Sequence, residues 1–316
     1  MTSQKQISVG KKVFLKKYTT FQIGGPADYF AVIKKEKDLI EGINMAQKIG
    51  RPFFILGGGS NVLFPDRGYP GFVFKIEMKK IETKRGRIIA EAGAGLARIL
   101  YFCLNRGLGG LEWTAGIPGT IGGAIRGNAG ALGKSMKDSV VLVKAYNIEK
   151  KNIQSFKNKD CRFAYRESVF KKEKKYIILE AELELKEKNT FLINKEINSC
   201  LLQRKEKQPR GFSAGSVFKN YQIKNEKEKG KILKEHPEIG KAIKENIIPA
   251  AFLIDRCGLK GKAIGKAMIS RVHANFIINL GRAKASDVEN LIIFIRKEVK
   301  KKFGVVLEEE IIIVKP

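Results

Sequence analysis

Apolar residues recur along this chain in two periods, and the alternation between them sets out the expected elements. Tyr29 to Ile33 is a short apolar run that reads as a strand. From Asp38 to Ile49, the residues Leu39, Ile40, Ile43 and Ala46 fall on one face at helical spacing. Phe53 to Leu56 is again a buried strand, and it runs into Gly57-Gly58-Gly59-Ser60-Asn61. The three together form a β-α-β unit ending in a glycine loop. Further strands are expected at Phe72–Ile76, Ile88–Glu91, Val140–Tyr146 and Tyr176–Leu185. The last alternates cleanly, with Leu179, Ala181, Leu183 and Leu185 opposite Glu180, Glu182 and Glu184. Leu96 to Asn105 can form a helix stopped by Gly107.

Phe191 to Lys207 reads as a helix ending before Pro209, and the main boundary is placed just ahead of it. Residues 222–246 form a polar, Lys/Glu-rich insertion. Ala250 to Arg256 has Pro249 at its start and Gly258 past its end, the asymmetry of a short helix. Ser286 and Glu289 have the spacing of a capping box, opening a helix closed by Gly304. Val305 to Val314 is expected as a final strand carrying Glu310.

Composition narrows the class. A chain of 316 residues is expected to divide into subdomains. A hydrophobic fraction of 43% belongs to a folded protein. The net charge of +29 attracts polyanions or phosphate-bearing small molecules, or else reflects a lysine-rich solvated surface. The lysines are scattered in short clusters, and the motifs of a nucleic-acid-binding module are absent. Cys103, Cys161, Cys200 and Cys257 form no C-x-x-C pair, which leaves reduced thiols and no metal site as the expectation. No run approaches the ~18 apolar residues of a membrane span, so the expectation is a cytoplasmic protein without membrane or nucleic-acid partners.

Two glycine-rich loops carry the candidate chemistry. In the first, glycines let successive backbone N–H groups converge on an anion, and Ser60 and Asn61 add side-chain donors; a tight turn is the other reading. The loop is not a G-x-G-x-x-G fingerprint. The second runs from Gly116 to Gly133 as G-I-P-G-T-I-G-G-A-I-R-G-N-A-G-A-L-G. Two such loops on separate units suggest one extended dinucleotide held between them.

Nine stretches then carry a resemblance. They are T-T-F-Q-I-G-G-P-A from Thr19, L-G-G-G-S-N from Leu56, G-I-P-G-T-I-G-G-A from Gly116 and N-A-G from Asn128, then F-A-Y-R-E-S from Phe163 and A-G-S-V-F-K-N from Ala214. G-L-K-G from Gly258, H-A-N-F from His273 and F-G-V-V-L-E-E-E-I from Phe303 complete the set. In this order, over nearly the whole chain, they resemble the UDP-N-acetylenolpyruvoylglucosamine reductases, also called UDP-N-acetylmuramate dehydrogenases.

The resemblance implies an α+β fold. Residues 1–188 would be a two-part FAD-binding domain of the vanillyl-alcohol-oxidase-like (PCMH-type) kind, with subdomains of about 1–80 and 81–188. Residues 189–316 would be an α/β substrate-binding domain whose last strand returns to the active site. It implies non-covalent FAD, NADPH as co-substrate, and reduction of UDP-N-acetylglucosamine enolpyruvate to UDP-N-acetylmuramate by a monomer in peptidoglycan precursor synthesis. Gly57, Gly58, Gly59, Ser60 and Asn61 would bind the cofactor, together with Gly116, Pro118, Gly119, Thr120, Gly122, Gly123 and Ala124. Ser216 would be the proton donor, Arg166 and Glu310 would stabilise the enol intermediate, and Lys219 and Asn220 would contact substrate. The residues alone leave Ser216 as a turn serine and Arg166 as a paired arginine, and only the motif selects Glu310 over Glu308 and Glu309. His273 reads as structural. Tyr221 stands where the family usually has proline, Leu132 where tyrosine is common and Asp255 where glutamate is common. Another FAD oxidoreductase of the same fold is the alternative. Many of those attach flavin through histidine, and His236 and His273 both lie outside the expected flavin domain.

Overall fold

The computed structural model describes residues 7–315. The chain folds as two compact units. The first takes the stretch up to Val13, residues 27–58 and residues 70–206. The second takes Phe14–Pro26, Gly59–Tyr69 and everything from Lys207.

In the first unit, strands β1 (Val9–Phe14), β2 (Pro26–Ile33), β3 (Phe53–Leu56) and β4 (Tyr69–Ile76) form a sheet in the order β1-β2-β4-β3. Helix α1 (Glu36–Lys48) buries Leu39, Ile43 and Ala46, the stripe its spacing predicts. They join Ile33, Phe72 and Phe74 in one core, where each leucine, isoleucine or phenylalanine side chain contributes about 1.5–3 kcal/mol by leaving water. A second, antiparallel sheet follows. It uses β5 (Ile81–Lys84), β6 (Arg87–Glu91), β7 (Val140–Asn147), β8 (Asn152–Lys157) and β9 (Tyr176–Leu183), in the order β8-β7-β9-β6-β5. On β9, Leu179, Ala181 and Leu183 are buried while Glu180 and Glu182 pair outward with Lys144 and Arg87. Helices α2 (Leu96–Leu104) and α3 (Ile121–Arg126) pack in the same core through Ile99, Leu100, Ile121 and Ile125.

Helix α4 (Thr190–Lys207) also belongs here, because Ile193, Ile197 and Cys200 face this core. The contact boundary therefore falls at Glu206/Lys207, after the helix that the sequence reading placed in the second half. Pro209 marks where the helix ends, but nothing local in the sequence says which core its face joins.

In the second unit, α5 (Glu226–Glu235) and a 3-10 turn at Pro237–Ala242 occupy the segment read as a polar insertion, burying Ile232 and Ile239. Helix α6 (Ala250–Arg256) has the predicted bounds. Strands β10 (Ala263–Ile264), β11 (Ala267–Ile269) and β12 (Ile277–Asn279) form an antiparallel sheet in that order. The long helix α7 (Ala285–Phe303) shares its core through Val288, Leu291, Ile295 and Val299, and Gly304 at φ 68° ends it.

Two expectations are corrected here. The N-terminus of α7 is not closed by Ser286. Asp66 accepts from the main-chain N–H groups of Ala285 (2.7 Å) and Ser286 (3.1 Å), while Asp287 accepts from the N–H of Lys284 (3.0 Å). A cap of this kind is worth about 1 kcal/mol, and a residue 219 positions away supplies it. Residues 305–314 are not one continuous strand. Val305, Leu307 and Ile311 are buried, but only Ile312–Ile313 is strand, parallel to Val62–Leu63, with an isolated bridge at Glu309. The apolar alternation is real; the partners change along the segment.

Candidate active site

The two glycine loops meet in the first unit. Strand β3 runs parallel to β4 with Leu56 opposite Lys75, and Gly57 and Gly58 follow at its end. A Cβ on Gly57 would lie 2.8 Å from Thr120 Oγ1, and one on Gly58 would lie 2.6 Å from the Gly119 Cα. The loops therefore touch main chain to main chain, and no side chain fits between them. The Gly119–Gly122 turn is fixed from behind. Leu96 N–H donates to Gly119 O (3.1 Å), Ile121 N–H to Ala94 O (2.9 Å) and Gly122 N–H to Ala92 O (3.0 Å). Thr120 caps α3, its hydroxyl accepting from Gly123 N–H at 3.5 Å. Ahead of the turn, Arg204 donates to Ala115 O (2.7 Å) and Trp113 O (3.2 Å), pinning the approach to Gly116. Glycines at 57, 58 and 119 leave no side chain where the loops meet, so a dinucleotide can approach the main chain closely, and in this the residues fit FAD.

Arg166 stands in the same unit, in a two-residue turn closed by Ala164 and Glu167, whose N–H and carbonyl groups exchange bonds of 3.1 Å. Its own φ is 54°, a left-handed conformation that is uncommon for a residue other than glycine. The N-A-G motif explains what holds it. Asn128 is buried, and its amide donates to Ala164 O at 2.9 Å and accepts from Lys137 N–H at 3.1 Å. The Arg166 guanidinium donates to Gly130 O at 3.0 Å, and Lys171 Nζ donates to Arg166 O at 2.7 Å. Asn128 was not singled out from the sequence; its place in N-A-G was the available signal.

In the second unit, Ser216 and Glu310 lie on adjoining segments. Ser216 forms an antiparallel bridge with Phe276. Val217 N–H donates to Asn275 O (2.8 Å), and Val217 O accepts from Glu310 N–H (2.7 Å). The buried Asn275 side chain doubles the strand pairing, accepting from Phe218 N–H (2.9 Å) and donating to Phe218 O (2.8 Å). This is the work of the H-A-N-F motif. Asn61 Nδ2 donates to Glu310 O at 3.1 Å, so an amide read as a cofactor donor is engaged on the C-terminal segment.

The three adjacent glutamates separate by partner. Glu308 pairs with Lys219 (3.2 Å) and also accepts from its main-chain N–H (2.9 Å), Glu309 pairs with Arg296 (2.9 Å), and Glu310 N–H donates to Val217 O beside Ser216 (2.7 Å). Lys219, expected at substrate, thus carries an ion pair, and Asn220 Oδ1 accepts from Ala250 N–H at 3.2 Å, at the start of α6. Tyr221, the departure from proline, donates its hydroxyl to Glu228 at 2.6 Å; burial and that carboxylate push its pKa up to about 12. His273 Nδ1 accepts from Asn275 N–H at 3.3 Å, and burial holds its pKa below the ordinary value, which fits a neutral structural imidazole.

Comparison with known proteins decides the family. Residues 207–314 match the C-terminal domain model of UDP-N-acetylenolpyruvoylglucosamine reductase, and residues 27–149 match an FAD binding domain. The reductase of Caldanaerobacter subterraneus is 41% identical over 302 residues, 95% of this chain and 91% of the relative. The chain belongs to the UDP-N-acetylenolpyruvoylglucosamine reductase family. The reductase of Clostridioides difficile is 36% identical over 94% of this chain and 90% of its own length. The crystal structure of the Thermus caldophilus reductase superposes with a TM-score of 0.78 at 30% identity, covering 98% of this chain and all of that one. The expected α+β fold with an FAD-binding part and a reductase C-terminal domain is borne out. The chain is an FAD-dependent oxidoreductase of this reductase family. Among the described residues, no helix is long and apolar enough to cross a membrane.

Proposed function

We propose that this chain reduces the enolpyruvyl ether of UDP-N-acetylglucosamine to UDP-N-acetylmuramate with NADPH, as a cytoplasmic monomer supplying peptidoglycan precursor. Gly57 to Asn61 and the 116–124 loop hold the cofactor, through Gly116, Pro118, Gly119, Thr120, Gly122, Gly123 and Ala124. Bound FAD supplies hydride transfer between nicotinamide and substrate. The chain's own residues handle charge and proton. A hydride added to the terminal vinyl carbon leaves negative charge delocalised from the neighbouring carbon into the substrate carboxylate. Arg166 offsets that charge with a planar, permanently charged guanidinium, and Glu310 takes part in stabilising the enol form. Ser216 Oγ then gives its proton to the ether-bearing carbon, and the serine is reprotonated from solvent. Lys219 and Asn220 contact the substrate.

The observation that carries this reading is the pairing of the Ser216 segment with Glu310, whose main-chain N–H donates to the carbonyl of Val217. The test is direct. Purified protein is incubated with NADPH and the UDP-enolpyruvyl sugar, and UDP-N-acetylmuramate is sought by mass spectrometry. NADPH consumption without that product would overturn the substrate assignment.

A further inference from the structure

Strand β4 is buried along nearly its whole length: Tyr69, Gly71, Phe72, Val73, Phe74 and Ile76 are all inside. Lys75 is its only charged residue. Placing an ammonium in such a strand is unfavourable, and burial holds the pKa of Lys75 below the ordinary lysine value. A compensating carboxylate would be expected within ion-pair distance. None stands there among the described residues, and the nearby Glu77 pairs with Lys79 at 2.6 Å. Lys75 Nζ instead donates to the main-chain carbonyl of Gly57, the first glycine of the G-G-G-S-N loop.

That bond has a geometric consequence. The peptide joining Gly57 to Gly58 is planar and trans, so its carbonyl and its N–H point in opposite directions. With the carbonyl of Gly57 held on Lys75, the N–H of Gly58 is turned away from the strand. Gly58 is the residue that meets Gly119 main chain to main chain. A carbonyl offers the ammonium only partial negative charge, so its field extends across the Gly57–Gly58 peptide toward an anion held on the Gly58 N–H side.

We infer that Lys75 is a positioning and charge-balancing residue for the diphosphate of the flavin dinucleotide, orienting the Gly57–Gly58 peptide and offsetting the anion it cradles. The inference rests on the FAD reading. Its test uses flavin-free apoprotein titrated with FAD and with riboflavin, which has the same ring and no phosphate, followed by flavin fluorescence. Lys75→Met keeps the aliphatic stem and should weaken FAD about ten- to hundredfold, the range of a lost charge-assisted hydrogen bond, with riboflavin changed less than about twofold. Lys75→Arg should retain most of the FAD affinity. Lys75→Gln, which can still donate to Gly57 without charge, should fall between them and should lower the salt dependence of the FAD constant. The Gln and Arg variants decide the matter if Met at this position prevents folding. Unchanged FAD affinity in every variant, or equal weakening of FAD and riboflavin, overturns the inference. Failure of the wild-type apoprotein to bind FAD would instead overturn the reading it rests on.

Discussion

The side-chain amide of Asn61 donates to the main-chain carbonyl of Glu310 at 3.1 Å, and the carbonyl of Asn61 accepts from Ile312 N–H at 2.9 Å. The two bonds bracket Ile311 and continue into the parallel pairing of Val62–Leu63 with Ile312–Ile313. On its other side, Glu310 N–H is held by Val217 O. Both peptide groups of Glu310 are thereby fixed, one through a side chain that a hydrophobic residue could not replace. Removing the amide leaves the Glu310 carbonyl short of a donor and frees the residue to shift.

Asn61→Ala should therefore slow reduction of the enolpyruvyl substrate by about tenfold to hundredfold, in the range expected for a lost positioning contact. Flavin reduction by NADPH should change far less. Stopped-flow absorbance separates the two half-reactions, and equal slowing of both would show that Asn61 acts on the cofactor instead.

A second outcome concerns flavin attachment. Both histidines of the chain, His236 and His273, fall in the second unit. The first-unit thiols are poor nucleophiles, since Cys103, Cys161 and Cys200 are buried; burial pushes the pKa values of Cys103 and Cys161 up to about 12 and raises that of Cys200. Acid precipitation should release all of the flavin into the supernatant. Yellow colour retained by the pellet would mean a covalent link through another residue.

His273 gives a pH dependence with a definite sign. Burial lowers its pKa below 6.5, so the unfolded chain binds the proton before the folded chain does. Its contribution to stability is full above pH 6.5 and declines as pH falls through that value toward the lower folded pKa. Melting temperatures from pH 7.5 to 5 should fall more steeply for the wild type than for His273→Gln. Parallel curves would show that the imidazole protonates equally in both states.

The difference between what was legible in the sequence and what was not follows the range of the interactions. Helix 250–256 carries both its stop signals within a few residues, and its bounds were read correctly. The alternation of Leu179, Ala181 and Leu183 likewise declares a strand with one buried face. The glycine loops were visible as loops, but their contact at Gly58 and Gly119 joins residues 61 positions apart by number. Asp66 capping the helix at Ala285, and Asn275 bonding Phe218, lie beyond any local pattern. Lys75 was passed over because a single lysine in a strand ordinarily marks a solvent face, and only the buried neighbours and the Gly57 carbonyl give it another meaning. For Glu310, motif order chose the residue, while the bond from its N–H to Val217 O, beside Ser216, joins segments far apart in the chain.

Ser216 permits the sharpest test of the proposed chemistry. Its backbone is well fixed: Phe276 bridges it, and Val217 beside it is bonded to both Asn275 and Glu310. Replacing the hydroxyl should leave that framework in place, since no main-chain bond depends on it. In the proposed reaction the proton is needed only after hydride has reached the substrate. Ser216→Ala should therefore leave the bleaching of flavin by NADPH nearly intact. Reoxidation by the enolpyruvyl substrate, followed to product, should fall by about 10² to 10⁴, the usual worth of a positioned general acid. A much larger loss would mean that Ser216 also orients the substrate. Ser216→Cys keeps a transferable proton in the same place and should retain more turnover than the alanine variant. If Ser216 were only a turn residue after Gly215, its loss would damage both half-reactions alike through the fold. Comparable slowing of the two steps in Ser216→Ala, accompanied by a lowered melting temperature, would remove the proton-donor role and leave the protonation that follows hydride transfer without an assigned acid.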